Sequence, residues 1–296
     1  MDTEKHIHLI IGPTAVGKTD RAIELAKSLN CDIISTDSRQ VYQELNIGVA
    51  RPDEHQLSAV KHHMIACVSI HDEYNAGRFA EDAGNTINDL LDTNDHIVLC
   101  GGTGLYIKAL IDGLDPLPPK NEKRRRELQM LIDDSGIETL SQLLFELDPI
   151  RHASIDKQNP QRLIRAIEIA ESDEVTEAVN FNFKHRFHLH IETIEMERSE
   201  LYKRINQRVD MMVENGLEEE VRSLLPYQHL NALQTVGYSE WWPFFENKTS
   251  REEVIEKIKQ HTRNYAKRQL TWFKNQSDLG QKQAAVLSIS NTVLAV

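Results

Sequence analysis

Residues 9–26 read LIIGPTAVGKTDRAIELA. The apolar, β-branched run from His6 ends at Gly12, the signature of a buried strand. Gly12–Thr19 (GPTAVGKT) then matches G-x-x-x-x-G-K-[ST] in full, and Ala22, Ile23, Leu25, Ala26 and Leu29 fall on one face of a following helix. Strand, glycine-rich turn and helix in that order form a phosphate-binding loop. Gly12, Pro13, Thr14, Ala15, Val16, Gly17, Lys18 and Thr19 are its residues. Backbone N–H groups and the helix N-terminus offer partial positive charge to phosphate oxygens. Lys18 adds a point charge, and the Thr19 hydroxyl can ligate Mg²⁺. The loop is expected to bind a di- or triphosphate.

Outward from this loop, apolar runs alternate with helical patterns. CDIISTDS (31–38) reads as a second strand, HHMIACVSI (62–70) as a third, RFAEDAGNTINDLLDTN (78–94) as a helix. HIVLCGGTGLYIKALIDG (96–113) reads as strand, glycine turn and helix. This alternation predicts an α/β, P-loop NTPase-like fold: a parallel sheet flanked by helices. Ligands of such sheets bind beyond the carboxyl ends of the strands. Thr14–Thr19, Asp37, Ser38 and Gly101–Thr103 fall there. Asp37 suits a general base or metal ligand, and equally a turn-capping residue. The glycines before Thr103 allow a ligand close to the backbone, or simply make a tight turn. The strand ending in Cys100-Gly101-Gly102 supplies no terminal aspartate for Mg²⁺, unlike the strand of an NTP-hydrolysing machine. That leaves a small-molecule kinase, or an enzyme for which phosphate is the leaving group.

Pro116, Pro118 and Pro119 interrupt the pattern. From 117 to 189 the composition is helical, and HRFHLHIET (185–193) looks like a strand again. The expected organisation is a discontinuous core, 1–116 with 190–296, and a helical insertion over 117–189. The C-terminal third reads as helical: one helix ends near Gly216 and a long one begins at Ser250 with Glu253 as its capping-box partner.

The chain has 34 basic and 46 acidic residues, a formal net charge of −12, which by itself argues against nucleic acid. Yet Lys120, Lys123, Arg124, Arg125 and Arg126 cluster, and Arg162 and Arg165 share a helix face. Between Val254 and Gln276 stand Lys257, Lys259, Arg263, Lys267, Arg268 and Lys274 against Glu256 alone. Three basic patches in an acidic chain fit a phosphate-backbone partner. Cys31, Cys67 and Cys100 are far apart and give no zinc-ligand spacing, and no run of about 18 apolar residues exists. A cytoplasmic protein with no membrane partner is expected, and a monomer.

GPTAVGKT, STDSRQVYQ, GVARP, HHMI, GGTGLYIKAL, NPQRLIRAIE, VGYSEW and AKRQLTWF occur here in the order found in bacterial tRNA dimethylallyltransferases, also called tRNA isopentenyltransferases. The resemblance runs from about Ile7 to Lys274. It implies a P-loop core with a helical insertion. It also implies transfer of a five-carbon prenyl group from dimethylallyl diphosphate to N6 of the adenosine 3′ of the anticodon in tRNAs reading UNN codons. Mg²⁺ is the implied cofactor, and the tRNA anticodon stem-loop the implied partner. Adenylate isopentenyltransferases share the loop and the chemistry but accept free nucleotides. By this resemblance Asp37 is the base for the adenine amine, Thr103 contacts the bridging oxygen or the base, and Lys18 holds the diphosphate, with Arg208 or Arg204 as a further cation. Ser38, Arg39 and Gln40 would line the tRNA side, and Arg126, Gln161, Arg162 and Arg165 would meet the anticodon stem. The stretch ESDEVTEAVN (171–180) departs from the family, which commonly has a turn containing Gly and Pro there.

Overall fold

The computed structural model describes residues 4–172, 174, 181, 183–275 and 284–288; residues 284–288 are described by backbone alone. Two compact units emerge, Met1–Gly113 with Asn180–Val296, and Leu114–Val179. The first contains a sheet of β1 (His6–Ile11), β2 (Ile33–Ser35), β3 (His62–His63), β4 (His96–Cys100), β5 (His188–Glu195) and β6 (Ala284–Ser288). Their order is β3-β2-β4-β1-β5-β6, and every pairing is parallel. Its helices are α1 (Lys18–Leu29), α2 (Glu54–Ala59), α3 (Ala76–Leu91) and α4 (Gly104–Ile111). After the second unit come α9 (Phe183–Arg186), α10 (Arg198–Glu214), α11 (Leu217–Ser223), α12 (Trp242–Phe245) and α13 (Arg251–Asn275). The second unit holds α5 (Glu122–Ser135), α6 (Ile137–Leu147), α7 (Pro149–Ser154) and α8 (Pro160–Glu171).

β1 lies inside the sheet and is buried on both faces from Leu9 onward, as its unbroken apolar run requires. Ile10 joins Ile23, Ala26, Val98, Ile194, Leu201 and Ile205 in one core, which seats α1 and α10 on that face. Burying a side chain of this size is worth roughly 1.5–3 kcal/mol, so this core fixes β1 and with it the loop that β1 ends in.

Four expectations shift. The third strand is only His62–His63, because Met64 and Ala66 take left-handed backbone conformations that end the extended run. β5 begins at His188, since His185 and Arg186 close the short α9. The C-terminal region is not wholly helical: Ala284–Ser288 adds an edge strand that pairs with β5, and a run this short shows no period that separates strand from helix. The compact second unit spans Leu114–Val179, against the expected 117–189. Its early edge follows Gly113, which has φ +82° after α4. Its late edge falls before Phe181, whose ring packs on Gly84 of α3, and before the buried Phe183. Most of 171–180 lies outside the described residues.

The second unit has its own core of Leu128, Leu140, Leu144, Leu163, Ile164 and Ile167. Buried Glu168 accepts from Asn121 N–H at 2.8 Å and from both arms of Arg125, while Arg165 approaches at 3.4 Å. Burial alone would raise this carboxyl, but those donors hold it below the ordinary range. Among the described residues no helix is long and apolar enough to cross a membrane.

On the face shared with Ile10, β1, β4 and β5 bring together His6, His8, His96, His188 and His190. His6 Nδ1 and His190 Nε2 lie 3.0 Å apart, and His8 Nε2 and His96 Nδ1 3.2 Å. Burial, then His190, His96 and His6, push the His8 imidazole down to about 4; burial and neighbouring imidazoles also lower His6 and His190. With a folded value below the unfolded one, the unfolded chain binds the proton first, so stability is full above about pH 6.5 and is lost as pH falls toward 4. Chemical-denaturation stabilities across that range should show the wild-type chain losing more than His8→Val; identical slopes would contradict this.

Candidate active site

The GPTAVGKT loop is built by left-handed backbone. Gly12 has φ +152°, and a Cβ there would stand 2.6 Å from the Ile194 carbonyl of β5; Ala15 and Gly17 have φ of 67° and 102°. Gly17 leads directly into α1, so the loop ends on a helix N-terminus. Lys18 Nζ donates to the Pro13 carbonyl at 2.8 Å, and burial pushes its ammonium down to about 8, reinforced by Arg208 and opposed by Cys100 and Asp37. From α10, Arg208 Nη1 reaches Thr14 Oγ1 at 3.3 Å and Arg204 Nη1 the Val16 carbonyl at 3.5 Å. Arg208 is half-buried beside Arg204, and both effects lower its value. Three cations around one loop, two of them with lowered values, describe an anion site.

Across from the loop, β2 delivers Asp37 and β4 delivers Thr103. Asp37 Oδ1 accepts from Arg39 N–H (2.8 Å) and Gln40 N–H (3.3 Å), so it caps its own turn as well as facing the site. Thr103 Oγ1 accepts from Ser38 N–H at 3.0 Å and donates to Ser38 Oγ at 3.3 Å, which locks the two strand ends together. The Tyr265 phenol is raised to about 12 by burial first and by Asp37.

Two cavities meet here. One, of about 860 Å³, is lined by Thr14–Thr19 except Val16, by Asp20 and Cys100, and by residues 46–57 except Gly48 and His55. The other, about 530 Å³, is lined by Ser38, Arg39, residues 234–237, Tyr265 and Arg268. Thr14, Asp37, Val49, Ala50, Arg208 and Met212 line both. Asp37 therefore stands on the partition between a polyphosphate cradle and a second opening. The Thr19 hydroxyl, Asp20 and Asp37 line the same cavity, an all-oxygen donor set that suits Mg²⁺.

One residue of this site was absent from the expected set. Gln269 of α13 is buried; its Oε1 accepts from Thr14 N–H at 2.8 Å and its Nε2 donates to the Gly102 carbonyl at 3.0 Å. A Cβ on Gly102 would meet that amide at 2.2 Å, and one on Gly104 would meet Trp272 at 2.3 Å. Close approach of α13 is thus what these glycines provide for. A polar residue next to buried Ala266 on a helix face was the available signal.

A family model described as IPP transferase matches residues 40–276. The chain belongs to the IPP transferase family. It is 44% identical over 274 residues to the tRNA dimethylallyltransferase of Christiangramia forsetii, covering 91% of this chain and 90% of that one. It is 40% identical over 278 residues to that of Cytophaga hutchinsonii, covering 93% and 91%. The crystal structure of the tRNA isopentenylpyrophosphate transferase of Bacillus halodurans superimposes with a TM-score of 0.69 at 34% identity, over 96% of this chain and 90% of that one. A eukaryotic dimethylallyltransferase acting on tRNA shares the fold, with a TM-score of 0.73 at 24% identity over 96% and 74%.

The remaining expected residues are placed as follows. Arg39 donates to the Asn231 and Ala232 carbonyls, and Gln40 to those of Val49 and Ala50, so both are anchored while lining the cavities. In the second unit, Gln161, Arg162 and Arg165 line one surface groove. Arg126, Gln161 and Arg162 are exposed, but Arg165 donates to the Pro118 carbonyl at 2.6 Å and is a structural residue in good part. Arg124 and Arg125 are likewise spent on Glu171 and Glu168. In α13, Lys259 pairs with Asp210 and Arg263 donates to Asn206.

Because Lys18 sits near 8, its charge is present below that pH and lost above it. Titrations with inorganic diphosphate should show the wild-type advantage over Lys18→Met shrinking as pH rises through about 8; an advantage constant to pH 10 would contradict the assignment. Gln269→Leu leaves Thr14 N–H and the Gly102 carbonyl unpaired, and each orphaned group costs about 1–3 kcal/mol. A Tm lowered by several degrees together with weakened diphosphate binding is the expected result.

Proposed function

We propose that this chain transfers the dimethylallyl group of dimethylallyl diphosphate to N6 of the adenosine 3′-adjacent to the anticodon in tRNAs reading UNN codons, releasing diphosphate. The observation that carries the reading is Asp37 on the wall between two cavities, one built as a polyphosphate cradle and the other open beside Arg39, Tyr265 and Arg268. Donor and acceptor can then approach one carboxylate from opposite sides. The names of the relatives support the same chemistry.

In this reading the loop N–H groups, Lys18 and Arg208 hold the diphosphate. As the allylic C1–O bond breaks, negative charge grows on the leaving oxygen, and these groups stabilise it. Thr19 is the residue that would hold Mg²⁺, which when bound adds neutralising charge at the same oxygens. N6 forms its bond to C1 and gives a proton to Asp37. Carbon moves and phosphorus does not. Thr103, fixed by Ser38, contacts the bridging oxygen or the incoming base. An exocyclic amine is a weak nucleophile, so orientation contributes more than base strength. The adenosine must leave its stack to reach this depth, and base flipping achieves that. Ser38, Arg39 and Gln40 line the acceptor side, while Arg126, Gln161, Arg162 and Arg165 contact the anticodon stem. In this reading the chain acts on tRNA as a monomer in the cytoplasm.

Labelled dimethylallyl diphosphate and undermodified tRNA provide the test. Label should appear on the adenosine of UNN-reading tRNAs; an unlabelled tRNA, or ATP-dependent phosphorylation of a small molecule instead, overturns the reading. Asp37→Asn should lower kcat by roughly 10²–10⁴ while tRNA affinity stays within a few fold.

A further inference from the structure

The loop after Asn46 forms part of both cavity walls through Val49 and Ala50, and Arg51 at its end ties it to the Tyr42, Gln43 and Leu45 carbonyls, but the peptide N–H groups of 46–48 need another partner. The explanation lies outside the cavities, on α11. The Glu220 carboxylate accepts from Ile47 N–H at 2.7 Å, Gly48 N–H at 3.1 Å and Asn46 N–H at 3.4 Å. Its Oε1 also accepts from the Tyr238 hydroxyl at 2.5 Å. Tyr238 is fully buried, and its ring lies so close to Gly48 that a Cβ there would stand 2.5 Å from it. One charge therefore gathers three successive peptide N–H groups of one cavity wall and the phenol of another, the 234–241 stretch. Charge-assisted bonds of this kind are about twice as strong as neutral ones.

The chain of contacts continues inward. Val49 and Ala50 present their carbonyls to Gln40 Nε2 at 3.4 and 3.0 Å, and Gln40 Oε1 accepts from Ser35 Oγ at 3.1 Å. Gln40 N–H in turn donates to Asp37 Oδ1. The neighbouring Glu218 has a different task, pairing with Arg222 and Arg251 on the surface. Among the three consecutive acids of α11, Glu220 is the one turned toward the site.

We propose that Glu220 is a positioning residue for prenyl transfer, setting the orientation of Asp37 and of the partition wall through the 46–50 loop and Gln40. This rests on the reading of the site as a prenyl transferase. Glu220 lines neither cavity and makes no contact with the GPTAVGKT loop, so its loss should act on the turnover step and leave the diphosphate contacts of that loop in place.

Glu220→Gln tests it, because the amide keeps the size but turns an N–H₂ toward peptide N–H groups that need an acceptor. With the full-length chain, expected results are a kcat lower by about tenfold to a hundredfold, a KM for dimethylallyl diphosphate within about twofold of wild type, and unchanged affinity for inorganic diphosphate. Tyr238→Phe removes one bond and keeps the three to the loop, so it should show the same split with a smaller kcat loss. If Glu220→Gln turns over like wild type, or if kcat, KM and diphosphate affinity all collapse in both variants, the inference is overturned. Wild-type protein without transfer activity would instead refute the underlying reading, which keeps the two failures distinct.

Discussion

The site depends on one buried amide. Gln269 bonds the P-loop at Thr14 and the glycine turn at Gly102, joining the ends of β1 and β4 through a helix from the far end of the chain. Parallel strands fix the directions of those ends but leave their turns free. An unpaired buried amide costs as much as a lost hydrogen bond or more, so both turns are held to the geometry that satisfies it. The glycines at 102 and 104 follow from the same constraint, since α13 leaves no room for a side chain at either position. The cradle and the strand end bearing Thr103 are thereby fixed relative to each other.

Around that joint the charges are distributed by function. Lys18, Arg204 and Arg208 converge on the cradle side, and for Lys18 and Arg208 burial there lowers their own values. Carboxylates brace the opposite side from behind: Glu220 holds the 46–48 N–H groups, and buried Glu240 accepts from Gly237 N–H and from His261. Asp37 stands between, its Oδ1 bound to its own turn. A leaving group that gains charge and an amine that loses a proton need those opposite surroundings on either side of one carboxylate.

Much of this was legible in the sequence because it is local. The P-loop is a contiguous pattern whose glycines answer to backbone φ, and strand-then-helix periodicity located β1, β2, β4, α3 and α4. Asp37 and Thr103 could be placed at strand ends by the rule for parallel sheets alone. What escaped is long-range. Gln269 is 255 residues from Thr14, and Glu220 is 173 from Ile47; no spacing connects them. Arg165 looked like a partner of Arg162 on one helix face, but its guanidinium turns to the Pro118 carbonyl and Glu168. Met64 and Ala66 hid their left-handed backbone inside an apolar run that reads as strand. Ala284–Ser288 is too short for any period, and its neighbour β5 is distant in sequence.

The central claim is that the cradle serves a prenyl diphosphate whose carbon is transferred. Thermal unfolding with each candidate ligand tests it most directly, since a ligand that binds only the folded chain raises Tm more the tighter it binds. Dimethylallyl diphosphate with Mg²⁺ should raise Tm well beyond ATP with Mg²⁺ at equal concentration. Strong stabilisation by ATP and none by dimethylallyl diphosphate would contradict the account.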